Sequence, residues 1–165
     1  MKELLYLKDE QIKDLIEQLF YAYRETFADP KKILKKHSFG IAHQKVIHLI
    51  ERYEGITVSG LLRKLKITKQ SLNRVLKDLN KNKKIIMKKG EVDSRHRHIL
   101  LNKSGKKLSN EIFFEQKKRI YRVLKNSNSE AVIKFKEVLE KIINGECKHM
   151  NFKQPGCINR IWNSL

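Results

Sequence analysis

The sequence predicts a mainly α-helical fold that contains one small two-stranded β-sheet. Over most of the 165 residues, apolar side chains recur at intervals of three and four, which is the spacing of one face of an α-helix. Near the middle, two runs rich in Ile, Met and Leu flank a stretch of Gly, Asp and Ser, which favours a β-hairpin. A chain of this length buries roughly 70% of its unfolded surface, so we expect one domain with a substantial core.

Two amphipathic helices are predicted in the N-terminal third. The first runs from Asp9 to Phe27, and the Asp29-Pro30 pair interrupts it. The second runs from about Phe39 to Tyr53, and Gly55 marks its exit, since glycine is the residue that most readily ends a helix. Both helices are expected to bury one apolar face.

Two shorter helices follow, joined by a short link without glycine. Thr57 is the expected N-cap of the first helix, and Thr68 is the expected N-cap of the second. The second helix runs from Lys69 to about Asn80 and is predicted to bury Leu72, Val75, Leu76 and Leu79. Two helices of about ten residues with so short a link fit a helix-turn-helix, whose second helix lies in the major groove of DNA.

The outer faces of this second helix carry polar and basic side chains. Residues near its start reach base edges in a helix-turn-helix. We therefore expect DNA contacts from Thr68, Lys69, Gln70, Ser71, Asn73, Arg74 and Lys77. A run of three lysines follows, Lys81, Lys83 and Lys84. Such a run usually only faces solvent, but its place between this helix and the hairpin favours contact with phosphate.

The predicted hairpin has its arms at residues 84–88 and 98–102. Arg95 would project near the tip, where a guanidinium can enter a narrow minor groove. Asp93 is expected to hold Arg95 through a carboxylate pair rather than to contact phosphate. The alternative is a solvated surface hairpin. The candidate DNA contacts of the hairpin are Lys88, Lys89, Asp93, Arg95 and Arg97.

Two further helices are predicted after the hairpin. One follows Ser104 and Gly105, and the other begins at about Ser129. Their apolar faces exceed what a thin helix-turn-helix core can cover, so we expect them to meet the N-terminal helix and to pack against a second copy of the chain. Residues 145–165 form a tail whose structure is the least predictable.

The charge indicates a polyanionic partner. The chain has 37 Lys and Arg against 18 Asp and Glu, a net charge of +19, which nucleic acid or an anionic membrane surface would neutralise. No apolar run approaches the roughly 20 residues of a membrane span, and the N-terminus does not resemble a secretory signal, so we expect a cytoplasmic protein. A basic RNA-binding or ribosome-associated protein would explain the charge equally well, but would be expected to expose aromatic residues for base stacking.

The order of elements resembles the MarR family of winged helix-turn-helix transcription regulators over about residues 15–143. The most specific match is the spacing of Asp93, Arg95, Leu101 and Gly105. Family members usually place Thr after that Leu, where this chain has Asn102, which can still cap the next helix. The segment TVSGLLRKLKITKQSLNRVLKDLNKNKKI is also similar to the helix-turn-helix of the family.

This resemblance implies a homodimer with two winged lobes on a pseudo-palindromic operator. It also implies a response to small phenolic or lipophilic ligands, or to oxidants, in the cleft between the dimerisation region and the DNA-binding region. A pocket lined by Tyr23, Phe39 and His43 would suit an aromatic acid. The expected organisation is dimerisation helices at 1–54, a winged helix-turn-helix DNA-binding region at 55–105, dimerisation helices at 106–144 and a tail at 145–165.

Other chemistries find little support. Cys147, His149 and Cys157 could supply three zinc ligands, but the Cys-x-His spacing is unusual and a fourth ligand is missing, so no metal is expected. Free thiols are the simpler interpretation, with a thiol-based redox-sensing regulator as an alternative. The chain has no Gly-x-Ser-x-Gly, P-loop or Gly-x-Gly signature, so neither an enzyme nor a cofactor is predicted.

Overall fold

A computed structural model describes residues 8–89 and 97–145, with the backbone alone for Lys89. It confirms the mainly α-helical prediction with a small β-sheet. The described elements are α1 (Asp9–Ala28), α2 (Lys31–Lys36), α3 (Ile41–Arg52), α4 (Val58–Leu65), α5 (Lys69–Lys81), β1 (Ile85–Lys89), β2 (Arg97–Leu101), α6 (Lys103–Lys125) and α7 (Ser129–Asn144). The described residues divide into two compact units, one up to Arg122 and one from Val123 onward.

The short helix α2 was not predicted. The sequence indicated only an interruption at Asp29-Pro30, whereas the structure places Asp29 at the C-terminal cap of α1 and Pro30 at the N-cap of α2. Proline can occupy the start of a helix because the N–H groups there have no partner within the helix. Helix α2 then contributes buried Leu34 to the core.

The helix-turn-helix forms as predicted, with both threonine caps in place. The backbone N–H of Gly60 donates to Thr57 Oγ1 at 3.1 Å, and that of Ser71 donates to Thr68 Oγ1 at 3.2 Å. The link contains Lys66 in the left-handed region, with φ of 52°, and its N–H donates to the carbonyl oxygen of Leu62. A lysine thus takes the backbone conformation that glycine usually supplies after a helix.

The two strands pair antiparallel, with Ile85 opposite Leu101 and Lys89 opposite Arg97. Each strand lies one residue from its predicted position. The N–H of Asn102 still donates to the carbonyl oxygen of Lys84, but both residues also bond to helices. Lys84 donates its N–H to the carbonyl oxygen of Leu79 at the end of α5, and Asn102 Oδ1 accepts from the N–H of Gly105 at 2.8 Å and caps α6. The expected cap at Asn102 is therefore confirmed.

One core unites the first unit. It takes residues from α2, α3, α4, α5, both strands and the first turns of α6, and it includes all four residues predicted to be buried on α5. Its members are Leu34, Phe39, Val46, Ile47, Ile50, Leu61, Leu72, Val75, Leu76, Leu79, Ile85, Ile99, Leu101, Leu108 and Ile112. This core fixes the positions of α5 and the sheet, which are the elements predicted to contact DNA.

The long helices expose apolar residues. Helix α1 has no buried residue, and it is joined to α6 by Arg119, which donates to both carboxylate oxygens of Asp29 at 2.7 and 2.8 Å. In the second unit, the side-chain oxygen of Asn128 caps α7, which also has no buried residue. Large exposed apolar residues on these helices include Ile12, Leu15, Ile16, Phe20, Phe113, Phe114, Ile133, Phe135, Ile142 and Ile143.

None of the helices within residues 8–89 and 97–145 is both long enough and apolar enough to cross a membrane.

Candidate nucleic-acid interface

The outer face of α5 is a continuous polar and basic surface. Its buried residues follow the i, i+3, i+4, i+7 spacing, so the intervening side chains must point away from the core. All seven residues predicted to contact DNA from this helix and its cap are exposed: Thr68, Lys69, Gln70, Ser71, Asn73, Arg74 and Lys77. Three of the seven are cations, which suits a surface that approaches phosphates.

The start of α5 and the sheet meet at a groove of about 620 Å³. Lys69 and Asn73 line it from α5, and Arg97 lines it from β2. The remaining lining residues, Thr57, Val58, Ser59 and Leu62, belong to α4 and its cap. The structure therefore brings Arg97, a predicted DNA contact of the hairpin, into one groove with Lys69 and Asn73. These two are predicted DNA contacts of α5, which we call the recognition helix.

Arg97 and Lys88 lie on opposite faces of the sheet, because side chains alternate between the two faces along a strand. Arg97 lies on the same face of β2 as buried Ile99 and Leu101, just beyond the edge of the core. Lys88 is exposed opposite His98 and belongs to the other face of the sheet. Asp93, Arg95 and the side chain of Lys89 lie outside the described residues.

Three lysines from the end of α5 to the start of the hairpin have different environments. Lys84, predicted to contact phosphate with Lys81 and Lys83, is buried, and its Nζ donates to Ser104 Oγ at 2.8 Å. This prediction was wrong for Lys84, because the chain turns into the core directly after the left-handed residue Lys83. Lys81 and Lys83 are exposed.

Sequence reasoning missed Ser59 as a candidate contact. Its hydroxyl is exposed in the first turn of α4, lies 2.9 Å from Thr57 Oγ1 and lines the groove beside Arg97. Hydroxyl groups and free N–H groups at a helix N-terminus commonly bind phosphate. The Thr-x-Ser sequence at the expected N-cap was the signal that could have identified it.

A second cavity, of about 460 Å³, lies between α1, α2 and the start of α3. Of the residues predicted to line a ligand pocket, Tyr23 and Phe39 do so, together with the aromatic rings of Phe20 and Phe27. His43 is not among the lining residues; it stacks on Phe39, with the ring centroids 4.7 Å apart. Three cationic side chains also line the cavity, those of Arg24, Lys31 and Lys35.

His37 stacks on Phe39 as well, with the ring centroids 5.8 Å apart. Burial and the neighbouring Lys84 ammonium lower the pKa of His37 below its ordinary value. His37 is therefore neutral at neutral pH and adds no charge beside the cavity.

Within the part of the chain that the structure describes, no group of three or more His, Cys, Asp or Glu side chains could hold a metal ion. Cys147, His149 and Cys157 lie outside the described residues.

Comparisons with known proteins identify relatives that cover most of the chain. The chain is 41% identical over 140 residues to the HTH-type transcriptional regulator PetP of Rhodobacter capsulatus, an alignment that covers 85% of this chain and 84% of that protein. No protein-family model matches the chain.

Solved structures show the same fold at low sequence identity. A MarR transcriptional regulator from Methanosarcina mazei Go1 has a TM-score of 0.68 at 20% identity, over 84% of this chain and 99% of that one. Staphylococcus aureus MarR in complex with salicylate and kanamycin has a TM-score of 0.67 at 18% identity, over 86% and 97%. A MarR family regulator from Listeria monocytogenes, complexed with 26mer DNA, has a TM-score of 0.69 at 19% identity, over 88% and 89%.

Proposed function

The chain belongs to the MarR family of winged helix-turn-helix transcriptional regulators, and we propose that it binds a pseudo-palindromic operator as a homodimer. As a DNA-binding transcriptional regulator it would act on DNA in the cytoplasm. Helix α5 of each copy would lie in the major groove of one half-site, and the sheet would contact the adjacent backbone. The observation that carries this proposal is the groove in which Arg97 lies beside Lys69 and Asn73.

The exposed apolar faces support a dimer. Ile16 is 62% exposed on α1, Phe113 is 60% exposed on α6 and Ile143 is 78% exposed on α7. Large exposed apolar side chains on a helix usually mark an interface. We propose that residues 1–54 and 106–144 supply this interface, although α2 and α3 also contribute to the core of the DNA-binding lobe.

We expect light scattering to give a mass twice the 19.6 kDa of one chain at micromolar concentration. Ile16→Asp should shift the protein to monomers, because it places a charge in the proposed apolar interface. Gln18→Asp is the matched control: it introduces the same charge on the opposite face of α1 and should leave the dimer intact. A parent protein of single-chain mass would contradict the proposed dimer.

The second cavity supports a response to a small aromatic or lipophilic acid. Its aromatic walls would bury an apolar ring, and Lys31 and Lys35 would attract a carboxylate. Arg24 also lines the cavity, but its guanidinium is paired with Glu25 at 2.7 Å. The solved Staphylococcus aureus relative contains salicylate, a molecule of this class. We propose that such a ligand, bound next to the dimer helix α1, changes the affinity of the regulator for DNA.

The DNA-binding function is tested by competition between duplex DNA and structured RNA of equal phosphate number at fixed salt. We expect duplex DNA to displace the RNA. The logarithm of DNA affinity should fall with the logarithm of salt concentration, by about 0.9 per neutralised phosphate. A slope shallower than about −3, equivalent to roughly three contacts, would mean that most of the +19 charge faces away from DNA.

A further inference from the structure

His43 joins the start of α3 to the recognition helix through two hydrogen bonds. Its Nδ1 accepts from the backbone N–H of Gly40 at 3.1 Å, and its Nε2 lies 3.2 Å from Asp78 Oδ2 on α5. Because the Gly40 N–H can only donate, the imidazole hydrogen must lie on Nε2. His43 is therefore the donor to Asp78, and the two bonds point in opposite directions across one ring.

Packing restrains the His43 ring in addition to its two hydrogen bonds. It stacks on Phe39 with an interplanar angle of 12°, and Phe39 is itself buried. The His43 side chain is only 14% exposed, whereas that of Asp78 is 53% exposed. The less exposed partner, His43, is held by more contacts than Asp78.

Asp78 is the single acidic residue of α5, and it lies among the groups expected to contact DNA. It follows Lys77 directly and comes one helical turn after Arg74. A carboxylate on this face repels phosphate, so its presence weakens non-specific binding. However, Asp78 accepts a hydrogen bond from His43 on α3. Such a directional bond between two helices restrains the rotation of α5 about its own axis. Apolar core contacts alone are non-directional and define that rotation less sharply.

We propose that His43 and Asp78 are positioning residues that orient α5 for the discrimination of base pairs. This rests on the proposed function, in which α5 contacts base edges. The bond should affect the preference for the operator over other DNA, because a small rotation of α5 misaligns hydrogen bonds to bases while phosphate contacts adapt.

The test uses two variants of Asp78 that lose the same charge. Asp78→Asn keeps an oxygen that accepts from His43 Nε2, whereas Asp78→Ala keeps none. The measured quantity is the ratio of dissociation constants for a scrambled duplex and for the duplex that the parent selects from a randomised pool, at one salt concentration. We expect Asp78→Asn to retain the parent ratio and Asp78→Ala to lower it by roughly threefold to tenfold, the worth of one net hydrogen bond.

Variants of His43 provide a second arm. His43→Gln should retain the ratio, because glutamine at this position of a helix can accept from the Gly40 N–H and donate to Asp78. His43→Phe keeps the stacking but loses both bonds, and should lower the ratio. The double variant His43→Phe with Asp78→Ala should have a ratio no lower than that of the poorer single variant, because both substitutions remove the same His43–Asp78 hydrogen bond.

Thermal unfolding of each variant separates positioning from stability. A fall in melting temperature with an unchanged ratio would assign the pair a structural role and overturn the proposal. The proposal would also be overturned if the parent ratio were well above one and Asp78→Asn and Asp78→Ala lowered it equally. A parent ratio close to one would instead refute sequence-specific DNA binding, and with it both proposals.

Discussion

Replacing Gly105 by alanine is expected to lower the free energy of unfolding by about 3 kcal/mol, the upper part of the range for overpacking a core. A Cβ atom at this position would overlap the backbone carbonyl oxygen of Lys84 and would lie 3.3 Å from Leu101 Cβ. Helix α6 passes this close to the sheet because Gly105 has no side chain. A backbone atom cannot move aside as a flexible side chain can, so the clash would separate α6 from β1.

Gly60→Ala is a closely matched control. Gly60 is also the third residue of its helix, and its N–H likewise donates to the N-cap side chain. A Cβ atom at Gly60 would meet Ile56 Cγ1 at 2.9 Å, so the Ile56 side chain must shift, but the three nearest atoms all belong to side chains and none to the backbone. We expect Gly60→Ala to change the stability by no more than about 1 kcal/mol, since the gain in helix propensity offsets the contact. Urea denaturation measures both variants, and equal losses would contradict the close-approach explanation.

Replacing Arg74 or Gln70 by alanine is expected to weaken binding to the selected duplex by about 1 to 3 kcal/mol, roughly 5-fold to more than 100-fold. Both side chains are exposed on the outer face of α5, in its first two turns. A bidentate contact to a base edge loses both hydrogen bonds on truncation, whereas the loss of a phosphate contact weakens binding to all DNA alike. The effect should therefore be larger on the selected duplex than on a scrambled one.

Controls for these variants remove the same chemical group elsewhere. Arg122→Ala loses an exposed arginine from α6, and Gln18→Ala loses an exposed glutamine from α1. Fluorescence anisotropy at physiological salt should give near-parent affinity for both controls. Equal weakening by Arg74→Ala and Arg122→Ala would mean that net charge, and not contact with bases, explains the loss.

The local features of the fold were predictable because their causes lie within a few residues. The caps at Thr57 and Thr68 and the apolar spacing on α5 depend on neighbours three or four positions away. Helix α2 escaped prediction because its six residues contain one buried side chain, too few for a periodic signal. The strands differ from their predicted bounds by one residue. Lys84 and Asn102, at the outer ends of the predicted arms, also bond to α5 and α6, and the hairpin sequence does not reveal these contacts.

The features that depend on distant residues could not be predicted. Gly105 was identified by its spacing in the family pattern, but its contact with Lys84 appears only when α6 crosses β1. Asp78 was not among the predicted site residues, and its partner His43 was assigned to a ligand pocket. The two are 35 positions apart and meet only because α3 packs against α5.

The central claim is that the outer face of α5 contacts the base pairs of an inverted repeat. Sequencing the DNA that the parent protein selects from a randomised duplex pool tests it most directly. We predict an enriched inverted repeat whose half-site centres lie about 10 base pairs apart or a multiple of that spacing, as two-fold symmetry and the DNA helical turn require. We also predict that Arg74→Ala loses the base preference at one position in each half-site. A pool without a shared sequence, or one that Arg74→Ala and Gln70→Ala leave unchanged, would contradict the claim.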